Sequence, residues 1–448
     1  MKLTLTSSAI EYTLRHIMRA AAPALAYTLE PPAKAGDGAV LHTARLSVHF
    51  RQIPQSQWPA LAAGNLPSVC ISSFDGAVQV PVFPAEDGPV FRQEKGVLYV
   101  NADFLTLPFL LLSRGEELLS PQRDPYGRFL YEFSLSKKYG FVDIPLVDEY
   151  ALLLRQWLLR VFSVDELGVN TPAILPTHDM DAARRFPSAF AAVKTIVGGD
   201  LLHRRSIPLA LESAQQYWQS RREPSLDPAL LGAEKLLNVS VGHGLSSEFY
   251  FMGLEAGEDD FRYEVQTDAI RAFSRKAEDA GMVCGFHGSR LTPGDAGRFA
   301  LERQRVADML GYAPVCGRQH YLCFDVLRTP AVWAAAGMKK DATLGFSDRE
   351  GFRCGTCFPF PLYDLEHDCA LPVTEHPLAV MEVTLRGRGL CEKEALASMR
   401  HLFARCTAVG GEFVLLWHND NTMRDWRGWF EQVYVPFMDW ASKELGKE

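Results

Sequence analysis

The feature that most constrains the fold is an alternation of short apolar runs with helix-like segments from about Asn170 onward. Apolar runs of strand length separated by helices predict βα units, and these build a parallel sheet. The predicted strands are residues 173–176, 237–241, 282–286, 378–383 and 412–417. A helix is predicted over residues 268–280, directly before the third strand. The fold class expected for this part is therefore α/β.

The first third of the chain has a different pattern, in which short strand-like runs are mixed with turns. Alternating apolar residues predict strands over residues 44–50, 78–83 and 97–100, and helical spacing predicts helices over residues 13–22 and 148–162. Because 448 residues exceed what one hydrophobic core usually organises, we expect two domains. We place an accessory α+β domain at residues 1–165 and the α/β domain at residues 166–448.

Composition excludes several functional classes. The formal net charge is −8, and Lys and Arg are not clustered, so no nucleic-acid partner is expected. No apolar run approaches the roughly 20 residues that span a bilayer, and the first residues do not have the pattern of a signal peptide. Nine scattered cysteines fit reduced thiols better than a disulfide framework. We therefore expect a cytoplasmic protein without a membrane span; the sequence predicts no oligomeric state.

Ionisable side chains stand where three of the predicted strands end. The first strand runs into His178, Asp179 and Asp181, the third into His287, and the last into His418. A single histidine in such a position usually caps a helix or forms a hydrogen bond. Several costly polar groups at strand ends are better explained by a shared site, because catalytic groups of (β/α) barrels lie at the carboxyl ends of strands.

The order of these motifs resembles that of the polysaccharide deacetylases, the carbohydrate esterase family 4 group. Residues 175–181 (LPTHDMD) are similar to the first family motif in the Thr-His-Asp-x-Asp form of a divergent branch. The other similar segments are residues 247–254 (SEFYFMGL), 285–289 (GFHGS), 318–322 (RQHYL), 341–348 with 351–360, and 417–419 (WHN). Residues 124–150 resemble part of the extra N-terminal domain of that branch. The resemblance implies a deformed (β/α) barrel.

The resemblance also implies a reaction and roles for particular residues. The reaction is the removal of an acetyl group from an N-acetylated amino sugar or glycan with the help of a divalent metal ion. Asp179 would be the base, His418 the acid that protonates the leaving amine, and Arg318 a group that orients the base. Asp181 and His287 would bind the metal. Carboxylate and imidazole ligands favour zinc, although cobalt, nickel and manganese also fit.

One position departs from the family pattern. Leu291 stands where the second histidine of the second motif is usual. Because a catalytic zinc ion normally has three protein ligands, His320 is the first candidate for the third ligand and His178 the second. The spacing of Asp179 and Asp181 also leaves open an exchange of their roles.

Two further expectations concern the substrate. Aromatic side chains stack on sugar rings, so Trp417 and Phe358 are candidate substrate-binding residues. The alternatives to a deacetylase are a non-catalytic carbohydrate-binding protein on the same scaffold and a metal-dependent hydrolase of another amide or of a glycosidic bond. A glycosidase usually needs two carboxylates that flank the bond, whereas Asp179 and Asp181 stand in one short motif.

Overall fold

The computed structural model describes residues 3–30, 32, 38–182, 184–254, 264–423 and 426–446. The chain packs into two compact units, each made of several chain segments. The first unit contains Met1–Ile174, Tyr321–Gly389 and Ser398–Val414, and the second contains Leu175–His320, Leu390–Ala397 and Leu415–Glu448. The domain boundary at residues 165/166 stays a prediction.

The first unit begins with a mixed α/β segment built around a five-stranded sheet in the order β1-β2-β3-β7-β6. The strands are β1 (Thr28–Glu30), β2 (Ala39–His42), β3 (Ser47–Arg51), β4 (Val69–Ser72), β5 (Gln79–Val82), β6 (Phe91–Glu94) and β7 (Val97–Asp103). The helices are α1 (Ser7–Ala21), α2 (Trp58–Ala63), α3 (Thr106–Leu112), α4 (Glu116–Leu119), α5 (Leu135–Tyr139), α6 (Leu146–Leu158) and α7 (Val164–Leu167). β4 and β5 form a separate antiparallel pair.

The predicted strands overlap β3, β5 and β7, and the predicted helices overlap α1 and α6, whereas the other elements were not predicted. In β3, buried and partly exposed side chains alternate, as the alternation of apolar residues predicted. Helix α1 starts earlier than predicted because the Thr6 hydroxyl caps it by accepting a hydrogen bond from the Ala9 amide.

The second unit contains the strands that precede the predicted site residues. Its sheet has the order β11-β10-β9-β8, all pairs being parallel. The elements are β8 (Ala173–Met180, which starts in the first unit), α8 (Ala189–Val193), a π-helix (Lys194–His203), α9 (Ile207–Arg222), α10 (Pro228–Gly242), β9 (Glu248–Met252), α11 (Asp268–Asp279), β10 (Val283–Gly288), α12 (Ala296–Leu310) and β11 (Cys316–Gln319). Parallel strands followed by helices match the predicted α/β class.

The predicted strand over residues 237–241 is wrong, because these residues form the end of helix α10. The carboxylate of Asp227 caps this helix by accepting a hydrogen bond from the Ala229 amide, and Pro228 occupies the first turn. In this segment Leu237, Val239 and Val241 alternate with Asn238 and Ser240, a strand-like pattern that the longer capped helix overrides. The strand of this βα unit is β9 instead.

The chain then contributes further elements to both units. They are α13 (Thr329–Ala335), β12 (Lys340–Asp341), β13 (Phe360–Asp364), β14 (Cys369–Glu375), β15 (Leu378–Met381), α14 (Glu382–Gly387), α15 (Glu392–Val409), β16 (Glu412–Leu416), α16 (Arg427–Trp429) and α17 (Val435–Glu444). In the first unit β14 pairs with β12 in parallel and with β13 in antiparallel orientation. Among the residues described, no helix is long and apolar enough to cross a bilayer.

Close packing of β10 against β11 depends on a glycine. Gly317 lies opposite Phe286, and a Cβ atom on Gly317 would stand 2.0 Å from the Phe286 carbonyl oxygen. We therefore expect Gly317→Ala to lower the free energy of unfolding by about 1–3 kcal/mol, because the strands must move apart. Urea denaturation measures this change.

The matched control is Gly242→Ala at the end of α10, where an added Cβ meets no atom within 4 Å. It should change stability by less than about 1 kcal/mol. Equal stability of the two variants would contradict this account of the β10–β11 contact.

Candidate metal and catalytic site

Neighbouring parallel strands bring the predicted site residues to one end of the sheet in the second unit. His287 in β10 is level with Arg318 in β11, and Asp179 in β8 is level with Tyr250 in β9. Because side chains alternate along a strand, Thr177 and Asp179 share one face of β8. Side chains from several strands therefore meet although their residues are far apart in sequence.

Asp181, His287 and His320 form the centre of the site. Each offers one ligand atom, and these atoms all lie within 4.8 Å of one another. Asp181 Oδ1 is 3.2 Å from His287 Nε2, and Asp181 Oδ2 is 3.5 Å from His320 Nε2. Ligand atoms bound tetrahedrally to one zinc ion stand about 3.3–3.4 Å apart. The Asp181 carboxylate is thus spaced from both imidazoles as it would be around a shared cation.

Backbone hydrogen bonding orients His287 for this role. His287 Nδ1 lies 3.0 Å from the Arg318 carbonyl oxygen, and since a carbonyl only accepts, Nδ1 carries the proton. In its neutral form the ring would present the Nε2 lone pair to Asp181, the arrangement found in metal-binding histidines. Both His287 Nε2 and Asp181 Oδ1 are buried without a hydrogen-bond partner in the described part of the chain. Buried atoms of this kind are costly unless a ligand satisfies them.

A second carboxylate, that of Asp179, is fixed beside the cluster. Arg318 donates from Nη1 to Asp179 Oδ1 at 2.8 Å and from Nη2 to Thr177 Oγ1 at 2.8 Å. Thr177 in turn donates to the Leu415 carbonyl at 2.7 Å. The other Asp179 oxygen, Oδ2, lies 3.6 Å from His287 Nε2. One carboxylate oxygen is thus occupied by the guanidinium, and the other faces the cluster.

At Asp179 and Asp181, neighbouring positive charges lower the carboxyl pKa more than burial raises it. Burial raises the pKa of Asp179, but the positive charges of Arg318, His287 and His418 lower it more, so the net shift is downward. Burial likewise raises the pKa of Asp181, and charges on His320 and His418 reverse the effect, leaving it well below its ordinary value. Both groups are therefore carboxylates at neutral pH.

The opposite shift occurs at His287. Burial lowers its pKa, but the charges of Asp179 and Asp181 raise it above the ordinary value. The acids thus favour a positive charge at this point of the site, whether on the ring or on a bound cation.

His418 completes the cluster on its more open side. Its Nε2 lies 3.6 Å from Asp181 Oδ2, and its side chain is 11% exposed. The next residue, Asn419, fixes this loop by donating from Nδ2 to the Ala182 carbonyl at 2.7 Å and to the Ala229 carbonyl at 3.0 Å. Gly232 in α10 allows the close approach, since a Cβ there would be 2.1 Å from the Asn419 carbonyl oxygen.

His178, the second candidate for the third ligand, points to the other face of β8. Its Nδ1 donates to the Trp417 carbonyl at 3.0 Å, and its ring packs against Phe249 and Tyr434. Burial lowers the pKa of His178 to about 4, so the ring is neutral. The structure thus brings His320, and not His178, to Asp181 and His287.

The two predicted sugar-binding aromatic residues are buried. Trp417 is 1% exposed, its Nε1 donates to the Asn421 carbonyl at 2.8 Å, and its ring packs on Tyr434. A ring enclosed in this way has no open face for a sugar. Phe358 is also buried and belongs to the first compact unit, and its role in sugar binding stays a prediction.

A cavity of about 300 Å³ adjoins the site. It begins next to Asp181 and His418, since Ala182 and Asp420 line it. Its other lining residues are Arg184, Arg185, Ala229, Asn421, Met423 and Trp426. Trp426, which is partly exposed, is an aromatic ring with access to this cavity.

Sequence analysis missed two supporting residues. Thr177 anchors Arg318, and its position two residues before Asp179 on one strand was the available signal. Asn419 joins the loops that carry Asp181 and His418, but no local pattern indicates contacts to carbonyl groups so distant in sequence.

Comparisons with known proteins find one family model that matches part of the chain and several distant structures. A family model described as a family of unknown function, DUF7033, matches residues 4–163. No curated protein matches the chain. Among solved structures, a suggested polysaccharide deacetylase from Mycobacterium smegmatis is 16% identical with a TM-score of 0.39, covering 61% of this chain and 84% of its own.

Two further structures are similarly distant. A family 4 carbohydrate esterase from Streptomyces lividans is 11% identical, with a TM-score of 0.28, and covers 62% of this chain and 88% of its own. A polysaccharide deacetylase from Bacillus cereus is 12% identical, with a TM-score of 0.30, and the match covers 62% of this chain and 89% of that protein. At these scores the similarities assign neither the fold nor the activity of this chain.

The Thr177 hydroxyl should be essential to the buried ion pair. Thr177→Val keeps the side-chain shape but removes the acceptor for Arg318 and the donor to Leu415. We expect it to lower the free energy of unfolding by about 1–3 kcal/mol, because a buried donor and a buried acceptor lose their partners. Urea denaturation provides the measurement.

Thr407→Val is the control, because the Thr407 hydroxyl donates only to the nearby Ala404 carbonyl in an exposed turn of α15. Its effect should stay within about 0.5 kcal/mol. A Thr177→Val protein as stable as this control would refute the anchoring role.

Proposed function

We propose that this chain is a metal-dependent hydrolase that removes an acetyl group from an N-acetylated amino sugar or glycan. The observation that carries the proposal is the convergence of Asp181, His287 and His320, with Asp179 and His418 beside them. Two imidazoles and one carboxylate supply the three protein ligands usual for a catalytic zinc ion.

The chemistry of the donor atoms suits a divalent cation. His287 Nε2 and Asp181 Oδ1 are the buried atoms that a cation would satisfy, and His287 is already in the tautomer that binds one. Zinc is the proposed ion, and cobalt, nickel or manganese would accept the same ligands. When bound, such an ion supplies Lewis acidity: it polarises the acyl carbonyl and makes water more acidic.

Asp179 is proposed as the general base. Its Oδ1 is engaged by Arg318, so only Oδ2 is available to accept a proton from the attacking water. Arg318 keeps the carboxylate ionised and fixes its orientation, as a base that works in one geometry requires. The alternative, in which Asp179 binds the metal and Asp181 is the base, is less well supported because Asp181 has the closer contacts to both imidazoles.

His418 is proposed as the general acid. It lies on the more exposed side of the cluster, next to Asp181, and is held by a loop that Asn419 fixes. A protonated imidazole in this position can give its proton to the amine as the carbon–nitrogen bond breaks. His418 and Asp179 would therefore move protons in opposite directions on the two sides of the scissile bond.

The cavity beside the cluster is proposed to hold the sugar. Its volume of about 300 Å³ lies at the lower end of the range for small-ligand sites. Trp426 offers an aromatic surface, and Asn421 and Arg184 offer hydrogen-bonding groups for hydroxyls. Trp426 therefore replaces Trp417 as the proposed stacking residue.

We also propose the remaining details of fold and location that the sequence suggested. The parallel strands β8–β11 and their helices support a deformed (β/α) barrel of the polysaccharide deacetylase type, with residues 1–165 as an accessory α+β domain. The nine cysteines are all free thiols, which supports a cytoplasmic location.

Removing a metal ligand should abolish both metal binding and activity. For His287→Gln we expect zinc affinity to fall by at least about 100-fold. Metal content after equilibrium dialysis and acetate release from a panel of N-acetylated amino sugars measure the two effects. A chelator should remove the wild-type activity, and added zinc should restore it.

His243→Gln is the matched control, since His243 pairs with Asp439 outside the cluster. The His243→Gln variant should keep the wild-type zinc affinity and the wild-type rate of acetate release. If the wild-type protein binds sugars but does not bind metal and does not hydrolyse the sugars, it would instead be a carbohydrate-binding protein on this scaffold.

A substitution of the proposed base should reduce activity without reducing metal binding. Asp179→Asn removes the proton acceptor while leaving Asp181, His287 and His320 in place. We expect acetate release to fall by about 10²–10⁴-fold, while zinc affinity stays within a few-fold of the wild-type value. Full activity of this variant would disprove the assignment of Asp179 as base, and loss of zinc would indicate the exchanged roles.

A further inference from the structure

Residues 184–222 form a segment with unusually exposed apolar side chains. We call it the basic hairpin; it contains α8, the π-helix Lys194–His203 and α9. Its most exposed apolar residues are Phe190 (75%), Leu202 (70%), Ile207 (67%), Leu211 (67%), Trp218 (64%) and Val193 (57%). Such a concentration of exposed apolar residues in one segment marks an interaction surface more often than ordinary solvent exposure does.

The exposed residues follow helical spacing. Phe190, Val193, Val197 and Leu201 recur every three or four residues along α8 and the π-helix, so they form one stripe. In α9, Ile207, Leu211 and Trp218 likewise share one face. The buried residues of α9, Ala210 and Ser213, lie on a different side. Each helix therefore has an inner face and an outer face on which exposed apolar residues recur, and the outer face of α9 also carries the polar residues Gln215 and Arg222.

Polar contacts hold the two helices together. Asp200 in the π-helix is fully buried, and its Oδ2 accepts a hydrogen bond from the Ser213 hydroxyl at 2.6 Å. Arg204 in the turn pairs with the other oxygen of Asp200 at 3.4 Å. Because the inner faces are fixed by these contacts, the outer apolar stripes are not explained by packing within the hairpin.

The charge of the hairpin is opposite to that of the chain. It contains seven Lys or Arg residues and only two acids, Asp200 and Glu212, whereas the whole chain has a net charge of −8. Lys194, Arg205, Arg221 and Arg222 are exposed. Cationic and apolar side chains are therefore combined on one segment of an otherwise acidic protein.

We propose that the basic hairpin docks on the surface of an anionic phospholipid bilayer. Amphipathic helices that lie in a membrane interface combine a strong apolar face with Lys and Arg, which attract anionic head groups. The turn at Leu201, Leu202 and Arg205 places both kinds of side chain at one end of the hairpin. A protein partner would also cover apolar residues, but the excess of basic residues favours a surface of uniform negative charge.

The position of the hairpin gives this surface a role. The hairpin starts three residues after Asp181 and lies in the chain between β8 and β9. Arg185, which lines the cavity beside the site, donates from Nη2 to the Ser213 hydroxyl of α9 at 3.2 Å and from Nη1 to Gln216. Docking would therefore bring the cavity close to the bilayer surface, where a lipid-anchored substrate would be found.

Vesicle binding tests the membrane proposal without any enzyme assay. A negative result would therefore count against membrane docking and not against the proposed hydrolase activity. The full chain is sedimented with vesicles of phosphatidylcholine alone or with added phosphatidylserine. We expect the partition coefficient to be at least about ten-fold higher with phosphatidylserine and to fall as salt is added. Equal binding to the two kinds of vesicle, or binding to neither, would overturn the proposal.

Variants locate the surface. Leu202→Gln combined with Ile207→Gln and Trp218→Gln should lower the partition coefficient at least about ten-fold, because apolar contact is lost. The matched control is Val169→Gln, which changes a 71% exposed side chain outside the hairpin and should bind as the wild type does. Circular dichroism and thermal unfolding check that each variant is folded.

A second set of variants separates charge from apolar contact. Arg205→Gln, Arg221→Gln and Arg222→Gln together should remove the preference for phosphatidylserine and the dependence on salt. Unchanged binding of either variant set would contradict the proposal. Concentration-dependent self-association that the apolar variants abolish would also contradict it, because the surface would then be an interface between copies of the chain.

Discussion

Charge buried at the carboxyl ends of parallel strands is the constraint on which the second unit depends. Arg318 is fully buried, and its guanidinium is divided between the Asp179 carboxylate and the Thr177 hydroxyl. Removing one partner of such a pair leaves an uncompensated charge, which costs more than the pair contributes. Strands β8 and β11 must therefore keep their positions relative to each other, and the histidines they carry or adjoin are fixed with them. Rigidity at the site follows from electrostatics as much as from the hydrophobic core.

Much of this arrangement could be predicted from the sequence because strand ends are encoded locally. Apolar runs that stop at Asp179 and His287 identify both the strands and the edge at which they meet. The choice between His320 and His178 could not be made in this way, because it depends on which face of β8 a residue occupies and on the backbone path after β11. The strand predicted at residues 237–241 is wrong because the local alternation of apolar and polar residues is strand-like, whereas the segment is the end of a longer helix. Burial of Trp417 depends on tertiary packing against Tyr434, which no local pattern reveals.

The second unit combines two surfaces with different physical chemistry. The cluster around Asp181 is small, buried and polar, and its ionisable groups compensate one another within a few ångströms. The basic hairpin is exposed, apolar and cationic, and its seven basic residues outnumber its two acids. The two surfaces are linked in sequence, because the connection between β8 and β9 contains both Asp181 and the hairpin, and its first residues line the cavity. The separation of a rigid centre from a peripheral contact surface is common where a fold carries a site on loops.

The hydrogen bond from His287 to the Arg318 carbonyl has a consequence for how this site could change over time. It makes the tautomer of one side chain depend on the main chain of the neighbouring strand and not on another side chain. Substitution of residue 318 would leave that carbonyl in place, so the imidazole would keep its proton on Nδ1 through many sequence changes. A one-residue insertion in β11 would instead shift the carbonyl and disturb the ring at once. Point substitutions at this position should thus disturb the tautomer of His287 less than insertions or deletions in the same strand, which predicts where related chains can differ in length.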